Sequence, residues 1–178
     1  VNNNPANPVI NTRSYGADPA IVTRMALAYA RGAMAGRAIP VLKHFPGHGN
    51  TNTDSHTALP TVRQSLDEME KVELVPYRAG IQQQMPVIMS AHIVFPALDP
   101  SEPATLSPKI LRDFLRGQMG YQGIVITDAL EMKAVADKYA VPVLAHKVFQ
   151  AGVDIQLLTS SGERTRLLFE SLLKGFQS

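Results

Sequence analysis

Apolar residues in Ile21 to Ala35 recur at helical spacing behind Asp18-Pro19, and the pattern predicts a helix with a capping aspartate and a proline in its first turn. A short apolar run, Ile39-Pro40-Val41-Leu42, then ends at Lys43-His44. Phe45 to Pro60 is rich in Gly, Asn, Thr, Asp and Pro, which is loop chemistry. Ser65-Leu66-Asp67-Glu68 matches a capping box opening a helix toward Gln83, with Pro76 as a point where it could kink. The alternation continues with a strand over Pro86 to Ala91 ending at His92, a helix from Ser107-Pro108 through Arg116, and a strand Gly123-Ile124-Val125-Ile126 ending at Thr127-Asp128. A helical region follows from about Glu131 to Ala151, then a strand over Val153 to Leu158 and a helix from Glu163 to Lys174. No repeat or low-complexity linker interrupts the series.

Strands that are apolar through their length and separated by crossover helices imply a parallel sheet covered on both faces. Such a sheet can be an open layer or a closed barrel. In both, reactive side chains gather where strands end, and Lys43-His44, His92 and Asp128 all fall at C-terminal strand ends. A complete eight-stranded barrel takes about 250 residues and seldom fewer than roughly 200. Only four clear strands and a fragmentary one at Val1 to Asn4 are legible, so the expectation is a barrel short by about three units. Val1 is not a methionine, and the opening Val1-Asn2-Asn3-Asn4-Pro5 reads as already emerging from a strand, so the chain is expected to be a piece of something longer.

Composition narrows the class. With 178 residues, 45% of them hydrophobic, the chain can bury one core and fits a single domain, 1–178. Its net charge of +2 comes from 17 basic and 15 acidic residues mixed along the sequence, so nucleic acid is not an indicated partner. No apolar run approaches the roughly 20 residues needed to span a bilayer, and no signal-peptide pattern opens the sequence. The absence of cysteine excludes disulfides, thiolate zinc sites and a thiol nucleophile, and leaves the compartment open.

The densest chemistry is the block from Lys43 to His56, which packs three histidines, a lysine and an aspartate together. His44 and His48 have the i, i+4 spacing of metal ligands on a helix, but Pro46, Gly47 and Gly49 argue against that helix, so no metal is expected. One reading of the block is a polar loop whose histidines bond nearby backbone. The other rests on Asp54-Ser55-His56: in an extended segment residues i and i+2 project to the same side, so Asp54 can fix the tautomer of His56 and favour its protonated form. A histidine with an ordinary pKa near 6.5 is a competent proton donor near neutral pH. Asp128, released at the end of a buried strand, has the rigid backing a nucleophile requires, and equally could cap a helix beginning near Glu131. Neither a Gly-x-Ser-x-Gly elbow nor a glycine-rich phosphate loop is present.

Taken together these segments resemble the β-N-acetylglucosaminidase branch of glycoside hydrolase family 3 over nearly the whole chain. The strongest points are Lys43 to His56 continuing to Leu59-Pro60, and Tyr121 to Asp128 followed by Met132. Asn7-Pro8-Val9-Ile10 with Arg13-Ser14-Tyr15-Gly16, Ser90-Ala91-His92-Ile93 and Ala151-Gly152-Val153-Asp154 add support. The resemblance implies an α/β fold, a TIM-like (β/α)8 barrel present as an incomplete barrel of roughly five βα units, and a retaining exo-β-N-acetylglucosaminidase that needs no cofactor. It aligns Asp128 with the nucleophile, His56 with the acid/base, Asp54 with its partner, and Arg13, Lys43 and His44 with residues that hold sugar hydroxyls. The implied partner is a β-N-acetylglucosaminide oligosaccharide or a muropeptide. Two departures stand out: the family's opening barrel units have no counterpart, and Asn50 stands where an aspartate is more usual. A phosphorylase using the same intermediate, or an inactive sugar-binding or structural fragment, are the alternatives.

Overall fold

The computed structural model describes residues 1–51, 59–159 and 162–177. Helix α1, Pro19–Ala35, starts as its sequence dictates, with the Asp18 carboxylate accepting from the amides of Ala20 and Ile21 at 2.8 and 3.0 Å. Strand β1, Val41–Phe45, follows. The helix expected to run to Gln83 is two helices, α2 (Leu66–Lys71) and α3 (Val75–Gln82). Both halves of the Ser65/Glu68 capping box are formed at the start of α2. The break places buried Leu74 in the core, and Pro76 stands in the first turn of α3, where its missing N–H costs nothing.

Strand β2, Val87–Ser90, is followed by a two-stranded antiparallel hairpin, β3 (Val94–Phe95) with β4 (Asp99–Pro103), that periodicity did not announce. Its fold depends on buried Asp99, whose carboxylate accepts from the Ser101 amide and hydroxyl and from the Ser107 hydroxyl, an arrangement of turn residues rather than of apolar ones. Residues Lys109–Gln118 form a π-helical segment, and β5, Ile124–Thr127, comes next. The helical region expected over 131–151 divides into α4 (Lys133–Ala136) and α5 (Val141–Ala151), because Pro142 must sit in a first turn. Gly152 ends α5 at φ 95°, a left-handed conformation that glycine adopts without strain. Helix α6, Gly162–Gln177, packs on α5.

The main sheet is parallel in the order β1-β2-β5, with Val41 opposite Val87 and Val87 to Ser90 opposite Ile124 to Thr127. The strand expected over Val153 to Leu158 reduces to a single parallel bridge between Ile126 and Ile155. The ladder stops there because the Thr127 hydroxyl, rather than a backbone carbonyl, accepts from the Leu157 amide at 2.9 Å. Residues 1–4 form no strand: Asn2 donates its amide to the Gly16 carbonyl and the chain turns at Pro5.

Phe45, Ile88 and Val125 from the three strands meet Leu111, Phe114, Leu115, Leu144 and Val148 in one apolar core. Phe45 presents its ring edge-on to Tyr77 at 5.2 Å and stacks on Phe114 at 6.4 Å with the planes inclined by 28°. Each such fully buried side chain contributes about 1.5–3 kcal/mol relative to exposure. The core lies directly beneath the C-terminal strand ends, so its packing fixes the height at which the reactive residues emerge.

Candidate active site

Each strand of the main sheet delivers polar residues to the same rim. At the end of β1 the Lys43-His44 and Phe45-Pro46 peptide bonds are cis, and His44 is buried. The turn that follows has no space for a side chain at Gly47, where a Cβ would meet the Glu73 Cγ at 2.6 Å. Burial holds the Glu73 carboxyl above its usual range, although the Gln64 and Asn3 amides donate to it.

Asp128 leaves β5 with its amide bonded to the Ser90 carbonyl at 3.3 Å, continuing the β2–β5 register by one residue. Its Oδ1 accepts from the Ala129 amide at 2.8 Å, and its Oδ2 lies 3.4 Å from His44 Nε2. The helix-cap alternative has no geometric counterpart: α4 begins only at Lys133, behind Met132, with no side-chain cap. The Asp128 side chain is 19% exposed.

His44 is neutral in this setting. Burial pushes its pKa down to about 3, and the positive charges of Lys43 and Arg13 add to that, against the opposing pull of Asp128. Between about 3 and the ordinary 6.5 the unfolded chain binds a proton that the folded chain refuses, so His44 makes the fold lose stability as pH falls through that window. Glu73 acts with the opposite sign, because its raised pKa favours the fold at low pH and that contribution fades as pH rises. Replacing His44 by glutamine is therefore expected to flatten the acid limb. Urea midpoints for both proteins between pH 7 and pH 4 measure it, and an unchanged acid limb in the variant would contradict a buried neutral His44.

His48 is not a helical neighbour of His44. Its ring meets that of His44 edge-on at 5.3 Å, and its Nδ1 lies 2.9 Å from the Thr51 hydroxyl. Among the described residues no group of three or more His, Asp or Glu side chains is placed to hold a metal ion. Arg13 and Lys43 line a cavity of about 400 Å³ between the N-terminal segment, α1 and β1, which His44, His48 and Glu73 also border. Asp128 does not border this cavity, and among the described residues His44 joins the two. Asp54 and His56 lie outside the described residues. Their flanks are anchored on both sides: Thr51 against His48 and Asn7, and Pro60 and Val62 against Val94.

Two contributors had no role assigned from sequence. Asn7 is buried, donates to the His48 carbonyl at 2.8 Å and to the Thr51 hydroxyl at 3.2 Å, and accepts from the amides of Val9 and Ile10. The Asn-Pro pair marks such a turn, but nothing in it names the distant loop that it braces. His92 is buried between Thr105 and Ala129, the residue that follows Asp128.

Comparison with known proteins places this geometry. The chain is 42% identical over 170 residues to β-hexosaminidase A of Pseudoalteromonas piscicida, an alignment covering 89% of this chain and 28% of that protein. Its structure superposes with a TM-score of 0.96 on a glycoside hydrolase family 3 β-N-acetylglucosaminidase from Paenibacillus sp. str. FPU-7, at 42% identity, covering 98% of this chain and 33% of that one. The β-glucoside phosphorylase BglX is similar at 31% identity and a TM-score of 0.89, again over 98% of this chain and 33% of the other. The arc of parallel strands is thus an incomplete TIM-like (β/α)8 barrel, and the chain spans well under half the length of these relatives. Residues 1–175 match the glycosyl hydrolase family 3 N-terminal domain, and with a parallel rim carrying Lys43, His44 and Asp128 as the sequence motifs required, the chain belongs to that family.

Proposed function

We propose that residues 1–178 form part of the catalytic barrel of a retaining exo-β-N-acetylglucosaminidase, with Asp128 as the nucleophile and His56 as the acid/base. The observation that carries the reading is the placement of Asp128: a partly exposed carboxylate at a strand end, backed by Ser90 and facing His44 Nε2 at 3.4 Å. His44 stays neutral, so its Nε2, 3.4 Å from Oδ2, places no second full charge beside the reacting carbon.

In this scheme Asp128 attacks the anomeric carbon while His56 protonates the departing glycosidic oxygen, and a covalent glycosyl-enzyme forms. His56 then takes a proton from the water that attacks the same carbon, Asp128 leaves, and the sugar is freed with retained configuration. Asp54 holds the His56 imidazole in the required tautomer. Arg13 and Lys43, which border the cavity beside His44, donate to sugar hydroxyls. The substrate is a terminal β-linked N-acetylglucosaminide, in an oligosaccharide or a muropeptide. Similarity to proteins named β-hexosaminidase and β-N-acetylglucosaminidase supports this assignment.

Similarity to the β-glucoside phosphorylase favours a second acceptor for the same intermediate. Inorganic phosphate would take the place of water and the product would be a sugar 1-phosphate, and a histidine acid/base admits that anion where a carboxylate would repel it. Full-length protein is assayed on a chromogenic β-N-acetylglucosaminide with and without phosphate, with product analysis. Free N-acetylglucosamine in both supports the hydrolase, and sugar phosphate formed only with phosphate supports the alternative.

His56→Ala is expected to lower kcat about 10²- to 10⁴-fold on substrates with a poor leaving group, and much less on an activated aryl glycoside whose departure needs no proton. Equal losses on both substrates would remove His56 from the acid role.

A further inference from the structure

A buried histidine just beyond the neighbouring strand is bonded to the backbone next to Asp128. Two residues past β2, His92 is 1% exposed and bonded at both ring nitrogens. Nε2 lies 3.0 Å from the Ala129 carbonyl and Nδ1 lies 2.9 Å from the Thr105 hydroxyl. A carbonyl only accepts, so Nε2 carries the proton. Thr105 Oγ in turn lies 3.0 Å from Ser90 Oγ and 2.9 Å from the Ala91 carbonyl. The chain of bonds runs from β2 through the Thr105 turn into the imidazole and ends on the backbone just beyond Asp128.

That endpoint matters because of what it brackets. The 127–128 peptide is held through the Asp128 amide on Ser90. The 129–130 peptide is held on both sides, its carbonyl by His92 and its Leu130 amide by the Leu157 carbonyl at 3.0 Å. The peptide between them is flanked on both sides by anchored peptides, and its Ala129 N–H is the group that binds Asp128 Oδ1, which leaves Oδ2 turned to His44. We infer that His92 is a positioning residue for the nucleophile: by clamping the Ala129 carbonyl through Nε2–H, it sets the direction of the peptide that orients the Asp128 carboxylate. The inference rests on the reading of Asp128 as the nucleophile.

Glutamine and asparagine separate positioning from bulk packing, because the glutamine amide nitrogen reaches the place of Nε2 while that of asparagine reaches only Nδ1. In full-length protein, His92→Gln is expected to keep kcat within about threefold of wild type. His92→Asn is expected to lose roughly 10- to 100-fold in kcat, with KM within about threefold and a thermal midpoint like that of the glutamine variant. Wild-type kcat in a folded asparagine variant, or equal losses in both variants, would overturn the inference. If the asparagine variant does not fold, Thr105→Val decides: kcat reduced several-fold at unchanged KM supports the clamp, and unchanged kcat refutes it. Asp128→Ala is run in parallel. Full activity there removes the nucleophile and the clamp with it, whereas an inactive Asp128→Ala beside a fully active His92→Asn removes the clamp alone.

Discussion

Asp128→Ala is expected to reduce turnover of a β-N-acetylglucosaminide by on the order of 10⁴-fold or more while leaving the fold intact, as removal of a covalent nucleophile does elsewhere. The carboxylate makes two contacts, to the adjacent Ala129 amide and to His44 Nε2 at the end of β1, and neither belongs to the strand ladder. Its removal therefore leaves the sheet register, set by Val87 to Ser90 against Ile124 to Thr127, untouched. The scheme makes a further demand on the wild-type protein. A slow substrate carrying a good leaving group should accumulate an adduct one sugar heavier on the peptide containing Asp128, and the alanine variant should show none. Peptide mass spectrometry after rapid quench reads this directly. An adduct on another residue, or full activity of the alanine variant, would end the assignment.

Phe45→Ala should have the largest effect on stability, a loss of about 3–5 kcal/mol. The ring is wholly buried, edge-on to Tyr77 and stacked on Phe114, and so joins β1 to α3 and to the π-helical segment. Truncation leaves a void that the strand cannot collapse into without moving, because Phe45 also gives its carbonyl to the Ala91 amide at 2.9 Å. Phe45 follows His44 in the chain, so loosening of this anchor should also reach the site and lower kcat in whatever folded fraction remains. Phe45→Leu, which keeps most of the volume, should cost less than half as much. Urea unfolding at constant m-value measures both variants, and a loss under about 1 kcal/mol for the alanine variant would show that the aromatic cluster is not the keystone of the sheet.

How much was legible in advance differs between local and non-local features. The caps at Asp18 and Ser65 are bonds between residues two or three apart, and both formed as written. Apolar runs located β1, β2 and β5 because positions such as Val87, Ile88 and Val125, which enter the core, exclude polar side chains. The hairpin of β3 and β4 was missed because Asp99, Ser101 and Ser107 hold it, polar residues that read as loop. The strand over Val153 to Leu158 was overestimated because its apolar composition is silent about the Thr127 hydroxyl that takes the Leu157 amide.

The sequence by itself determined the chemistry available: Lys43, His44 and Asp128 at strand ends, Asp54 and His56 two residues apart, and motifs whose order identifies the family. Only the tertiary structure decided that His44 Nε2 faces Asp128 across 84 residues of chain, that burial keeps this histidine neutral, and that Asn7 and His92 brace loops far from them in sequence. The physical reason is common to all of these. Spacing encodes contacts within a helix turn or a strand pleat, whereas distance across a sheet, desolvation and the partner of a buried ring nitrogen exist only after the strands have paired.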